Sequence, residues 1–588
     1  MRLGIASRRV SAVLLLMALA LPVSAGPVAA GGSPGECAEL KPLSQVHKGD
    51  TGEGWTVERG TTPERFLFEV LGIVDDGIAP GRDLIIVEVS DAPGNDMISR
   101  AGGIWAGMSG SPVYLGGKLL GAVAYGFTFG PSPIGGVTPA VDMADVLGYS
   151  TGAAAQTRDR VAVPQSMRAE VAARAGTSEA QASQLERLRI PFAVSGLNAR
   201  ARDNLEKMLK ERGINAIVTS TARSARSAGT VISGRPVPGG NFAGAASYGD
   251  VTLAGIGTAT YVCGNKALAF GHPLAFMGSV AFGANNADAI AVIDDPTATP
   301  FKMANITGLF GKLDHDRLTA IRAKLNATPT LRAITSHVEN VDTGFSRNGR
   351  SDATMNVFVP VVAPNHLLAN ADVVFDQIGP GTAMVTWTIK GKRANGNPWS
   401  LEYTNRYASS SDITFESVFQ MADQLAVLES NPFEAIKFTS VDIDASYNDT
   451  FTRYDIESVK ISKNGGLFRE RSSLNVSPGD QLRARVSLRR YRSTVTTVDL
   501  QVNVPNDATP GSFGLLAIFG GGDIFADPGG GVNSFPQLVA ALENTPRNDD
   551  VIAQLLLDDF EGGSSVTSDS ERLNAVVGGG VEIGISVE

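Results

Sequence analysis

Gly107-Met108-Ser109-Gly110-Ser111-Pro112, then Val113-Tyr114-Leu115, Gly116-Gly117 and Lys118-Leu119-Leu120-Gly121-Ala122-Val123-Ala124, form the most informative stretch of this chain. A serine between glycines can sit on a tight turn with its hydroxyl presented, because glycine accepts backbone angles that a Cβ obstructs. The N–H groups of Gly107 and Ser109 then converge on a developing oxyanion. Behind the serine the pattern predicts a hairpin: an apolar strand, a Gly-Gly turn and a second apolar strand. The plainer alternative is an ordinary Gly-Ser turn without chemistry.

Upstream, Phe66-Leu67-Phe68-Glu69-Val70-Leu71 and Leu84-Ile85-Ile86-Val87-Glu88-Val89 read as short strands broken by Asp75-Asp76-Gly77 and Pro80-Gly81. The second alternates poorly, which predicts burial on both faces. A nucleophilic serine needs a base, and the base an orienting group. Of the five histidines, His272 stands out, in Ala269-Phe270-Gly271-His272-Pro273-Leu274 after the strand-like Gly257-Thr258-Ala259-Thr260-Tyr261-Val262. A histidine between glycine and proline at a strand end lies on a shaped loop, where catalytic groups collect. His47 sits in a polar stretch, and His315, between Asp314 and Asp316 beside Arg317, reads as solvated. His337 and His366 carry no partner signature. Asp91 and Asp96 precede the serine and are both candidate acids, although each is also an ordinary turn residue.

The order of nucleophile turn, proline, strand, glycine turn and strand is how trypsin-like proteases present their serine. Ala101-Gly102-Gly103-Ile104, the serine turn and Gly117-Lys118-Leu119-Leu120-Gly121-Ala122-Val123 together resemble the serine segment of the SpoIVB-type peptidases. Gly136-Val137-Thr138-Pro139 resembles that family's closing strand. Gly257-Thr258 with Leu268-Ala269-Phe270-Gly271-His272 resembles its histidine segment, as does the region from Asn305 to Gly311. The resemblance implies a double β-barrel, cleavage of itself and of partner proteins, Ser109 as nucleophile, His272 as general base, and an aspartate shortly before the serine. Two departures stand out: here the histidine follows the serine, and Pro273 replaces a glycine. A permuted pair of barrels reconciles the order, because triads are defined by geometry.

The remaining sequence sets the frame. A basic start, the apolar run Val10 to Ala25 and small residues at Val23-Ser24-Ala25 and Val28-Ala29-Ala30 predict a cleaved signal peptide and a secreted or envelope-associated bacterial protein. No later stretch reads as a membrane span, so no anchor is expected after cleavage. A net charge of -10 argues against a nucleic-acid partner. Protein or peptide substrates are expected, with a cell-surface partner as an added option. No Cys/His cluster has metal-ligand spacing, so neither metal nor cofactor is expected. Cys37 and Cys263 either form one disulfide or remain two buried thiols.

The expected fold class is mainly β: a trypsin-like double β-barrel core, permuted or interrupted, with a small α/β insert and a C-terminal β-sandwich. The expected layout is a signal peptide (1–30), a serine-bearing β domain (31–150), a linker (151–189) and an α/β insert (190–235). A histidine-bearing β domain (236–345), a β-rich segment with one helix (346–435), a sandwich (436–520) and a helical, Gly-rich end (521–588) follow. The functional expectation is a secreted serine endopeptidase that processes itself. The rivals are a non-catalytic exported scaffold and an esterase, the latter weakened because no helix follows the serine.

Overall fold

The computed structural model describes residues 36–588, apart from 151–158, 212–213, 215, 223, 225, 296–298, 524–531 and 559–563. The expected signal peptide and part of the linker therefore lie outside the described residues. Strand accounts for 49% of the described residues and helix for 18%, so the β class holds.

The first barrel is built from β1 (Thr51–Thr56), β2 (Glu64–Ala79), β3 (Arg82–Asp91), β4 (Pro112–Leu115), β5 (Lys118–Gly126) and β6 (Ile134–Pro139). Each pairs antiparallel with its neighbour in the order β4-β1-β2-β3-β6-β5, and β4 with β5 closes the ring. β3 explains its own poor alternation. Ile85, Val87 and Val89 join one apolar cluster with Trp105 and Met108, while Leu84 and Ile86 join another with Val171 and Leu185. Both faces are buried because the segment after the barrel folds back over its outside: β7 (Arg160–Ala162), the helix Gln165–Ala175 and β8 (Gln184–Arg187).

Next come β9 (Ile190–Val194), the helix Ala199–Glu211 and β10 (Ala216–Ser220), with β9 and β10 parallel. This is the expected α/β insert, a strand–helix–strand unit whose Leu205 and Leu209 face the core.

The second barrel comprises β11 (Asn241–Gly249), β12 (Leu253–Cys263), β13 (Lys266–Ala269), β15 (Gly283–Ile293), β16 (Phe301–Asp316) and β17 (Ile321–Leu325), with the two-residue β14 (Gly278–Ser279) against β16. Pairings run β11-β12-β13-β17-β16-β15 and return from β15 to β11, so this ring also closes. The serine barrel thus precedes the histidine barrel. The disulfide Cys37–Cys263 ties the N-terminal lead-in to the end of β12.

Beyond the barrels, Arg332–Asn340 and Ser346–Ala353 extend the sheet from β11, and Lys437–Asn448, Gly381–Lys392 and Pro398–Ser409 complete it. Met355 to Val359 reads as a strand but forms the start of a helix, Val359–Phe375, that is apolar nearly all round. Against the sequence expectation, Asn356–Phe375 is long and apolar enough to cross a bilayer; 78% of its most apolar window is buried inside the protein. The stretch Phe415 to Ala426 divides into the helices Ile413–Glu416 and Phe419–Glu429.

The sandwich pairs a four-stranded with a five-stranded sheet around Val486, Leu500, Leu516 and Ile583. Its boundaries differ from expectation. Lys437–Asn448 belongs to the middle sheet, where it pairs with Gly381–Lys392. Residues 521–588, expected to be helical, supply the strands Asp550–Asp558, Ser564–Arg572, Val576–Gly578 and Gly580–Val587. Leu555 and Leu556 are ladder residues, whereas Leu538 and Leu542 do lie on a helix, Phe535–Glu543, packed on the middle domain.

Candidate active site

Ser109 sits in the connection from β3 to β4, pressed against the second barrel. Gly110 has φ +96°, and a Cβ there would lie 2.0 Å from the Thr258 carbonyl oxygen and 2.5 Å from the Phe270 nitrogen, so only glycine fits. The turn is pinned internally by Ser111 N–H to the Met108 carbonyl at 2.9 Å and Gly110 N–H to the Val123 carbonyl at 2.8 Å. Across the seam, Thr258 N–H donates to the Ser109 carbonyl at 2.8 Å. The Thr258 and Thr260 hydroxyls donate to the Gly107 and Gly110 carbonyls at 3.1 and 2.7 Å. The alternating threonines of β12 are therefore the clamp that holds the serine turn.

With their carbonyls engaged, Gly107 and Ser109 keep their N–H groups: among the described residues neither has an acceptor. That is the state an oxyanion hole requires. Lys302, fully buried, runs its stem along Gly107 and donates to Asn241 Oδ1 at 2.9 Å. Burial pushes its ammonium down to about 7.

His272 follows β13 on the loop the sequence singles out. Phe270 (φ +71°) and Gly271 (φ +68°) are both left-handed, an unfavourable conformation for phenylalanine that the surrounding packing holds. Thr138 Oγ1 donates to the Gly271 carbonyl at 2.7 Å. The ring is thereby placed with Nε2 2.9 Å from Ser109 Oγ and Nδ1 2.7 Å from the Pro273 carbonyl oxygen. A carbonyl can only accept, so Nδ1 carries the proton and Nε2 offers its lone pair to the serine hydroxyl. Burial, with the nearby Arg187 charge, pushes the imidazole down to about 3 and keeps it neutral.

Neither proposed aspartate meets this ring. Asp91 Oδ1 accepts from the Ile98 and Ser99 N–H groups at 2.8 and 3.2 Å and so caps the short helix Met97–Ala101. Asp96 is exposed and pairs with Arg100. Asp91 thus does the turn work aspartates commonly do, and Asp96 a surface ion pair. The carboxylate that shapes the histidine loop is Asp316, at the end of β16 and 1% exposed. It accepts from the backbone N–H groups of Leu274, Ala275 and Met277 at 2.8, 2.8 and 3.2 Å. Burial pushes its carboxyl above the usual carboxylate range, and the three N–H groups oppose that. His315, Asp316 and Arg317 are all buried, contrary to the solvated reading of this segment.

The other histidines lie apart from the dyad. His47 is exposed near Asp50, and His337 bonds Asn348. His366 is fixed in the core between the Ser336 and Ser351 hydroxyls. Among the described residues no three His, Cys, Asp or Glu side chains are grouped to hold a metal ion.

Two closed six-stranded barrels with a serine–histidine pair at their seam make up the architecture of trypsin-like serine peptidases. The model of the SpoIVB peptidase S55 family matches residues 35–138, a stretch that includes Ser109. Neither the curated proteins nor the solved structures compared with the chain gave a match.

Proposed function

We propose that this chain is a secreted serine endopeptidase that cleaves peptide bonds by acyl transfer and processes itself. Ser109 is the nucleophile, His272 the general base, and the Gly107 and Ser109 N–H groups hold the oxyanion. The observation that carries the reading is the 2.9 Å contact between Ser109 Oγ and the unprotonated Nε2 of a histidine whose tautomer is fixed by a carbonyl. His272 takes the hydroxyl proton as Ser109 attacks and returns it to the leaving amine; water then releases the acyl group. In place of a carboxylate, the Pro273 carbonyl orients the imidazole.

A fluorophosphonate probe tests this. Wild type is expected to be labelled on Ser109, Ser109→Ala not at all, and His272→Ala on the order of a thousandfold more slowly or worse. A folded wild type that never takes the probe supports the rival reading of a non-catalytic exported scaffold, to which the near-complete burial of Ser109 (1% exposed) would then belong. Preference for small esters over every peptide substrate would instead favour an esterase.

A further inference from the structure

Ser109 and His272 are sealed by the chain itself. β8 leaves the first barrel's outer cover and lies antiparallel along the end of β5, with Gly126 opposite Glu186 and Tyr125 opposite Arg187. One residue further on, Leu188 N–H donates to the Ala124 carbonyl at 3.0 Å. The serine turn is bonded to the neighbouring Val123, through Gly110 N–H to its carbonyl and its N–H to the Ser111 carbonyl. Leu188 is thus registered one residue along β5 from the nucleophile turn. Beyond it the chain passes over that turn: Pro191 Cγ lies 3.4 Å from where a Cβ on Gly107 would stand. β9 then joins the second barrel, with Phe192 opposite Gly255 of β12. Arg187, just before Leu188, is close enough for its charge to act on the His272 ring.

The Leu188 side chain is buried in the first barrel's core with Ile104. Room for it exists because Gly126 lacks a side chain: a Cβ there would stand 2.9 Å from Leu188 Cδ2 and 3.9 Å from Ile104 Cγ2. The next strand contributes Gly135, where a Cβ would stand 2.3 Å from Ile104 Cδ1. A glycine-walled, apolar slot beside a nucleophilic serine, filled by one leucine from an extended strand, has the features of a specificity pocket with its residue in place.

We infer that Gln184–Pro191 lies in the substrate cleft, that Leu188 fills the specificity pocket, and that Leu188–Arg189 is the bond this protein cuts in itself once the Leu188 carbonyl moves onto the Gly107 and Ser109 N–H groups. The inference rests on the peptidase reading and adds its cleavage site and its preference for a leucine-sized apolar residue before the cut. Ser109 Oγ attacks the Leu188 carbonyl carbon, and the bond to the Arg189 nitrogen breaks. His272 passes the serine proton to that nitrogen, and water hydrolyses the Leu188 ester to a carboxylate while regenerating the serine. Cutting frees the strand that fills the cleft, so the same event opens the site to other chains. Cys37 and Cys263 lie on opposite sides of the bond, so the two products stay joined until reduced.

The test uses the full-length chain with intact mass measurement on reducing and non-reducing gels, and fluorophosphonate labelling in parallel. Expected is one band without reductant and two with it. One product ends at Leu188 and the other begins at Arg189; Ser109→Ala stays uncut. Leu188→Asp should slow cutting by at least about 100-fold, because a carboxylate is costly in an apolar slot, while Leu188→Met should still be cut at this bond. Mapping the wild-type cut needs no variant, so misfolding of Leu188→Asp leaves the test intact. A Ser109-dependent cut elsewhere, or an uncut chain that the probe labels, overturns the inference and leaves the peptidase reading standing. Cutting at Leu188 in Ser109→Ala overturns it as well. A folded chain neither cut nor labelled overturns both.

Discussion

Asp316→Asn tests whether the histidine loop is held by one buried carboxylate. In the structure one oxygen takes the Leu274 N–H and the other takes those of Ala275 and Met277. An amide keeps only one acceptor. With its oxygen toward Ala275 and Met277, its NH₂ faces the Leu274 N–H, and one charge-assisted hydrogen bond is replaced by opposed donors. Hydrogen bonds to charged groups contribute roughly 1.5–3 kcal/mol, and an unsatisfied buried donor costs a further 1–3 kcal/mol. A loss of about 2.5–6 kcal/mol is therefore expected, read as a lower urea midpoint at unchanged slope. The loop that shifts carries Pro273, whose carbonyl orients His272, and a misplacement of about 1 Å in such a group costs roughly 100-fold in turnover. The kinetic assay is hydrolysis of a leucine-containing peptide below the unfolding transition. kcat is expected to fall by about two orders of magnitude with KM nearly unchanged, since Asp316 acts through the base. Wild-type kcat in a variant destabilised by the stated amount would refute the positioning role. Wild-type stability would refute the bonding account.

Gly110→Ala should abolish Ser109 labelling and lower stability by several kcal/mol, because its Cβ would lie 2.0 Å from the Thr258 carbonyl oxygen and the φ is left-handed; calorimetry and probe uptake check both. His272 makes stability depend on pH in a set direction. Its folded value, about 3, lies below the ordinary 6.5, so the unfolded chain takes up the proton first. Its contribution is full above about pH 6.5 and is lost as pH falls towards 3. His272→Gln should flatten that limb in urea titrations at successive pH values. Cys263→Ser removes a link spanning 226 residues, for which about 2–5 kcal/mol is expected, measured by denaturant titration of uncut protein.

The serine turn and its hairpin were readable because both are local: glycine needs and strand–turn–strand patterning fall within twenty residues. His272 was readable for the same reason, as a histidine fixed between glycine and proline. Asp316 was not. Its role is defined by backbone N–H groups some forty positions earlier, and in sequence it is one charge among Asp314, His315 and Arg317. Asp91 and Asp96 attracted attention by proximity to the serine, but Asp91 caps the intervening helix and Asp96 pairs with Arg100 on its surface. Met355 to Val359 reads as a strand because β-branched and aromatic residues favour one. A helix buried on nearly every side needs the same residues, and here tertiary packing decides. Leu555 and Leu556 lie in a continuous apolar run whose period does not separate a ladder from a helical stripe, although Pro546 and Gly562-Gly563 bound it as turns bound a strand. The disulfide was open because the two cysteines meet only once the second barrel has formed.

The barrels come off the ribosome in a definite order. Ser109 emerges in the first barrel, and the histidine that contacts its hydroxyl follows 163 residues later. At roughly 5–20 residues per second, the nucleophile waits about ten to thirty seconds without a base. The pair is complete only when the second barrel has closed and docked, with strand β8 already seated. The serine–histidine contact is thus a late event in folding, and the length of chain between the two residues sets the earliest moment at which it can exist.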